Sequence, residues 1–269
     1  MRNLGTLFFG LLLGGCGGNY ILTVPDQLAA AGEPAAAVVR LQRNDFFVLA
    51  PAVKGAAIRL RIAGRHERVA YTDKFGYAGA ALTVPKGPGR YRMRADYQDS
   101  EGEEIAASAQ VYVWNRARPV VAVDLDCLPL EGSEDVAAAT SALAGLAGRA
   151  NILYLTCRPI DQHDQAHESL GAAGYPDGVV LLWRAEKWHI VREGRFNWPR
   201  LVVKSVMVSQ LPQWKRVFPK LDVGVCSSKL AAEAFDHAGM RCVVIGQANV
   251  EVEKATHRAS WTDLASEGI

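Results

Sequence analysis

Val120-Val121-Ala122-Val123-Asp124-Leu125-Asp126 is the stretch on which the fold turns. Four consecutive apolar residues, three of them β-branched, leave no polar face, the pattern of a parallel strand covered on both sides. The run then stops in two carboxylates separated by one leucine. Downstream, similar apolar runs occur at residues 151–155, 178–183, 222–225 and 241–245. Helical stretches are predicted between them: residues 137–146 after a Ser133 cap, 165–173, 198–218 with Pro199 and Pro212 limiting regularity, and 229–238 closed by Gly239. Strands alternating with helices mean a parallel α/β sheet.

Ligands of an open parallel sheet sit beyond the carboxyl ends of its strands, so the residues there carry the chemistry. Strand one ends in Asp124 and Asp126, whose spacing lets one carboxylate attack a phosphorus while the other protonates the leaving oxygen. Strand two ends in Thr156-Cys157-Arg158-Pro159, offering a hydroxyl to a phosphate oxygen and, in Arg158, either a phosphate fork or a partner for a nearby carboxylate. Lys204 can neutralise charge developing at the phosphoryl group. Taken singly, each has a plainer reading: the aspartates as helix caps, Thr156 as a strand end, Lys204 as a solvated lysine.

Together these residues resemble the haloacid-dehalogenase superfamily of phosphatases over about residues 120–245, and within it the lipin-type domain of phosphatidate phosphatases and Nir phosphatidylinositol-transfer proteins. The likeness rests on Asp124-Leu125-Asp126, on Ile152-Leu153-Tyr154-Leu155-Thr156-Cys157-Arg158-Pro159, on Pro176-Asp177-Gly178-Val179-Val180-Leu181-Leu182, and on Val203-Lys204 followed by Leu211 and Val217-Phe218-Pro219. The resemblance implies a Rossmann-like α/β domain. In it Asp124 is nucleophile and Mg²⁺ ligand, Asp126 general acid and backbone ligand, Thr156 phosphate anchor, and Lys204 charge stabiliser. The fourth motif departs from the family. Cys226-Ser227-Ser228-Lys229-Leu230-Ala231 stands there, and the usual metal-binding aspartate falls on Ala231, leaving Ser227 and Ser228 through water, or Glu233 from a shifted helix, as the candidates to hold Mg²⁺. The expectation is a phosphomonoester site, for a phosphorylated small molecule or a phospholipid such as phosphatidate, with weakened or absent turnover. A non-catalytic headgroup-binding module and an envelope scaffold are the alternatives.

The first half reads differently. Short segments with alternating or β-rich character, such as 37–41, 57–62, 68–71, 79–84, 90–97 and 105–114, are punctuated by Gly and Pro, as in an antiparallel β-sandwich. The turn Thr72-Asp73-Lys74-Phe75-Gly76-Tyr77-Ala78 resembles bacterial immunoglobulin-like modules. Ahead of it, Arg2 and the apolar run 7–13 read as an export signal too short to span a bilayer, ending in Leu13-Gly14-Gly15-Cys16, which resembles a lipoprotein lipobox. Cys16 is then a lipidation site and membrane anchor. The predicted organisation is signal and anchor over 1–19, an immunoglobulin-like sandwich over 20–116, a haloacid-dehalogenase-like domain over 118–250 and a tail over 251–269, where Trp261-Thr262-Asp263-Leu264 reads as a docking helix.

Thirty Lys and Arg against twenty-eight Asp and Glu give a formal net charge of +2, too balanced to imply a nucleic-acid partner. Cys127 and Cys157, after adjacent strands, are candidates for a disulfide. Cys226 and Cys242 are predicted to lie at opposite ends of their strands and to be poor partners. His163 and His167, four apart on a helix, have the spacing of a transition-metal pair, but with no third ligand evident an exposed helical face is the expectation. Trp183, Trp188, Trp198 and Trp214 read as packing residues.

Overall fold

The computed structural model describes residues 20–44, 50–63, 65–129, 132–156, 160–182, 188–193, 196–201, 211–246, 252–253 and 255–267. Of the sequence-read site residues, Cys16, Cys157, Arg158 and Lys204 lie outside these, as does Trp183. Among the described residues, no helix is long and apolar enough to cross a membrane.

Among the described residues, the first half holds eight strands in two sheets. β1 (Tyr20–Thr23), β3 (Ala35–Arg43) and β6 (Tyr77–Leu82) form an antiparallel sheet in the order β1-β3-β6. The other sheet runs β2-β8-β7-β4-β5, from β2 (Gln27–Ala30), β8 (Glu104–Trp114), β7 (Gly89–Gln98), β4 (Ala57–Ile62) and β5 (Arg65–Tyr71). It is mixed, because β2 pairs parallel to β8. Alternation dictates the packing: Ala35, Ala37, Val39 and Leu41 of β3 share one core with Ile58, Leu60 and Ile62 of β4 and with Met93, Ala95, Val111 and Val113.

The second half is built on a six-stranded parallel sheet: β9 (Val120–Asp124), β10 (Asn151–Thr156), β11 (Val179–Leu182), β14 (Leu221–Cys226), β15 (Arg241–Ile245) and β16 (Ala255–Arg258), in the order β11-β10-β9-β14-β15-β16. Both faces are covered, as the apolar run of β9 requires. Val121 and Val123 join a core with α1 (Val136–Ala147), α2 (His163–Ala172) and α5 (Trp261–Glu267). Val120 and Ala122 join another with helical residues 211–217 (α3) and α4 (Lys229–His237), and that core also takes in Leu28, Ala30, Tyr112 and Trp114 from β2 and β8. The chain reverses its direction of winding between β9 and β14, which is where such sheets open a crevice.

Local chemistry explains the helix ends. Ser228 caps α4 by accepting the Ala231 N–H at 3.2 Å. Gly239 ends it with φ +68, while Met240 N–H donates to Phe235 O at 3.0 Å. Gly224 of β14 is required for packing: a Cβ there would stand 2.4 Å from the Phe235 ring.

Three expectations are corrected. Residues 198–218 are not one helix: β12 (Trp188–Glu193) and β13 (Phe196–Leu201) form an antiparallel hairpin, with Trp198 opposite Val191 and Pro199 opposite Ile190. Aromatic and β-branched residues favour that pairing. Cys226 and Cys242 do not lie at opposite ends. β15 starts level with Val223, so Cys242 pairs with Gly224, and its Sγ lies 3.3 Å from that of Cys226, with both thiols free. His163 and His167 are not an exposed face, as described below.

Candidate functional site

Among the described residues, two groups of side chains can carry chemistry. The first lies at the carboxyl rim of the parallel sheet. β9 ends in Asp124, whose register partner on β10 is Leu155, so Thr156 stands one residue further along the same edge. On the other side Val123 pairs with Val225, so Cys226, Ser227 and Ser228 continue past the same edge. The switch-point strands thus bring Asp124, Thr156 and the two serines to one rim.

Asp124 is buried at 8% exposure, yet within reach of donors. Its Oδ1 accepts the Asp126 N–H at 3.2 Å, capping the 3-10 turn Leu125–Cys127, and its Oδ2 accepts the Ser228 hydroxyl at 3.4 Å. Burial drives its carboxyl up to about 6, with the Asp126 charge adding to the rise and the Asp126 N–H and Ser228 hydroxyl opposing it. Asp126 is exposed and Thr156 fully buried. Cys127, beside them, points its thiol at Val225 O, 3.9 Å away. Ser228 has a structural duty, since the same hydroxyl oxygen caps α4 and touches Asp124. Ala231 is buried at 1% exposure against the sheet and offers no ligand atom.

These residues fit a divalent ion in part. Mg²⁺ is commonly held by one or two carboxylates, waters and substrate phosphate oxygens. Asp124 and Asp126 meet that minimum, Ser227 and Ser228 add hydroxyls, and the carboxylate that would complete the shell from α4 is replaced by Ala231.

The second group joins the two halves. Asp26, in the connection from β1 to β2, meets His163 and His167 of α2; their donor atoms all lie within 4.8 Å of one another. His167 Nε2 is 2.8 Å from Asp26 Oδ2, and His163 Nε2 is 3.6 Å from Oδ1. Asp26 Oδ1 also accepts the Gln110 N–H of β8 at 3.2 Å, and Oδ2 the Val180 N–H of β11 at 3.3 Å. One carboxylate therefore takes hydrogen bonds from both halves. Burial alone would raise the Asp26 carboxyl, but the two imidazoles outweigh it and hold it below the usual carboxylate range. The hydrogen bond it makes to the Asp26 carboxylate raises His167, against the opposing effect of its partial burial. Asp26 and His163 are buried and His167 partly so, and together they have the donor set to coordinate a metal ion.

Sequence reasoning missed Asp26 because it precedes His163 by 137 residues and carries no local signal. The pairing of the two histidines was the one available clue.

No family model matches the chain, and no curated protein matches it. Among solved structures, it is similar to a 2,6-sialyltransferase from Photobacterium at 8% identity over 82% of this chain and 41% of that one, with a TM-score of 0.24. A Paenibacillus cycloisomaltooligosaccharide glucanotransferase matches at 12% identity over 85% of this chain and 38% of that one, with a TM-score of 0.25. A Bacteroides ovatus GH5 xyloglucanase matches at 8% identity over 88% of this chain and 71% of that one, with a TM-score of 0.25. The chain spans about two fifths of the length of the first two, at 41% and 38%. Likenesses this slight carry neither fold nor function to the chain.

Proposed function

We propose that the rim of β9, β10 and β14 is a phosphomonoester site of haloacid-dehalogenase type, lipin-like in its motifs, with hydrolysis attenuated by loss of the fourth-motif carboxylate. The observation that carries it is the contact of Asp124 with Ser228 across the switch point, with Thr156 one residue past Asp124's partner on the adjacent strand. Proteins place ligands in that crevice, and a buried carboxylate beside hydroxyl donors suits attack on phosphorus.

In this reading Asp124 attacks the phosphoryl group, Asp126, exposed at the mouth, gives its proton to the leaving oxygen as that P–O bond breaks, and water then hydrolyses the phosphoryl-Asp124 to release phosphate. Thr156 anchors a phosphate oxygen, and Lys204 and Arg158 supply positive charge on the sequence likeness alone. Asp124 and Asp126, with Ser227 and Ser228, would hold Mg²⁺, which would supply charge neutralisation. Burial raises the Asp124 carboxyl, so the rim favours a cation beside it. The first half is read as an immunoglobulin-like sandwich that spaces this site from a membrane to which Cys16 is lipid-anchored. The support there is sequence: the lipobox-like Leu13-Gly14-Gly15-Cys16 and the strand alternation. A phospholipid such as phosphatidate is then the fitting substrate class.

The test is hydrolysis of p-nitrophenyl phosphate and of phosphatidate in mixed micelles by the full chain. Slow, Mg²⁺-dependent release of phosphate that Asp124→Asn abolishes is expected. Absence of turnover with retained phosphate binding sensitive to Thr156→Ala favours the recognition module, for which the buried Ala231 is the specific argument. Neither turnover nor binding refutes the site.

A further inference from the structure

We propose that Asp26, His163 and His167 form a transition-metal site, suited to Zn²⁺, that clamps the first half of the molecule to the α/β half. It is separate from the rim, and nothing in the phosphomonoester reading requires it.

Geometry carries the proposal. Zinc bonds of about 2.0–2.1 Å in a tetrahedral shell put neighbouring donor atoms roughly 3.3 Å apart. The separations here are 3.6 Å between His163 Nε2 and Asp26 Oδ1 and 2.8 Å between His167 Nε2 and Asp26 Oδ2, so small side-chain shifts suffice. His163 and His167 lie one helical turn apart on α2, with ring centroids 4.7 Å from each other. Two imidazoles and one carboxylate are the donors of a zinc site and a poor set for Mg²⁺, which takes oxygen.

The ring of His163 is placed for ligation in the tautomer that carries its proton on Nδ1. Its Nε2 accepts the Asp26 N–H at 3.0 Å and therefore carries its lone pair on the cluster side, while Nδ1 lies 3.2 Å from the Asp164 carboxylate. A carboxylate on the far nitrogen is the outer-shell arrangement that orients metal-bound histidine. The Asp26 and His163 side chains are 2% and 4% exposed, whereas His167 is 35% exposed, which opens a fourth position to water. Binding must displace two hydrogen bonds, from Asp26 N–H to His163 and between His167 and Asp26 Oδ2. The Gln110 and Val180 N–H groups can stay on the carboxylate, because each oxygen has two lone pairs. The ion would thus be fixed to β8, β11 and α2 at once.

The experiment strips the full chain with a chelator and titrates it with Co²⁺, reading the visible d–d absorption, with Zn²⁺ as competitor. Expected are one Co²⁺ per chain, its displacement by Zn²⁺, and a Zn²⁺-induced rise in Tm. His167→Ala, at the half-exposed position and so compatible with folding, should weaken Co²⁺ binding more than about tenfold and erase the Tm response, with circular dichroism confirming the fold. Asp124→Asn should leave the Co²⁺ signal intact, so that failure of the rim reading and failure of this one are told apart. No stoichiometric uptake, or uptake that His167→Ala leaves unchanged, overturns the proposal and leaves a metal-free hydrogen-bonded pin.

Discussion

Replacing Asp124 with asparagine should stabilise the protein at neutral pH while destroying the proposed chemistry. Burial takes this carboxyl from its ordinary 3.8 to about 6, a difference worth ~3 kcal/mol against the folded state once the group is ionised. Because folding raises this pKa, the neutral form's favourable contribution is complete below pH 3.8 and is lost as pH climbs through about 6. Asparagine never ionises, can accept the Asp126 N–H as the carboxylate does, and can donate to the Ser228 oxygen. Near pH 7.5 in chelator, Asp124→Asn should therefore gain up to ~3 kcal/mol in urea denaturation, or roughly 5–10 °C in Tm for a fold of this size. Near pH 4 the gain should vanish. Mg²⁺ should narrow the gap by stabilising only the parent protein. An asparagine variant no more stable than the parent at neutral pH would refute the reasoning, since it would mean that the carboxylate is already compensated by positive charge.

Two packing predictions follow from the same half of the molecule. Gly224→Ala puts a Cβ 2.4 Å from the fully buried Phe235 ring and should cost ~1–3 kcal/mol in urea denaturation; partial rescue by a second change, Phe235→Leu, checks the cause. Ser228→Ala removes the α4 cap and should cost ~1 kcal/mol, measured the same way at a pH near 4 where Asp124 is neutral; no loss would show that the Ala231 N–H finds another acceptor.

What the sequence made legible is what local periodicity encodes. The run 120–123 with its abrupt carboxylate stop, the apolar runs of β10, β14 and β15, the glycine-closed α4 and the docking helix α5 all carry their signal within a few residues. The rim was legible for the same reason, because strand ends of a parallel sheet meet at one edge wherever they occur in the chain. The hairpin of β12 and β13 was not legible, since two prolines and scattered tryptophans fit a broken helix as readily as a ladder. The Cys226–Cys242 approach depends on a two-residue offset between strands, which no single-strand pattern reveals. Asp26 was the hardest to see. A lone aspartate before a short strand looks like a turn, and its partners on α2 and β11 are brought to it only by the docking of one half on the other.

That docking bears on how the molecule can be divided. Trp114 rests edge-on against Phe218 at 5.8 Å, and Tyr112 donates its hydroxyl to Asp177 at 3.2 Å. The face that β2 and β8 present to the parallel sheet is therefore a wall of that sheet's own interior. Cutting the chain after Trp114 would uncover greasy surface on both pieces.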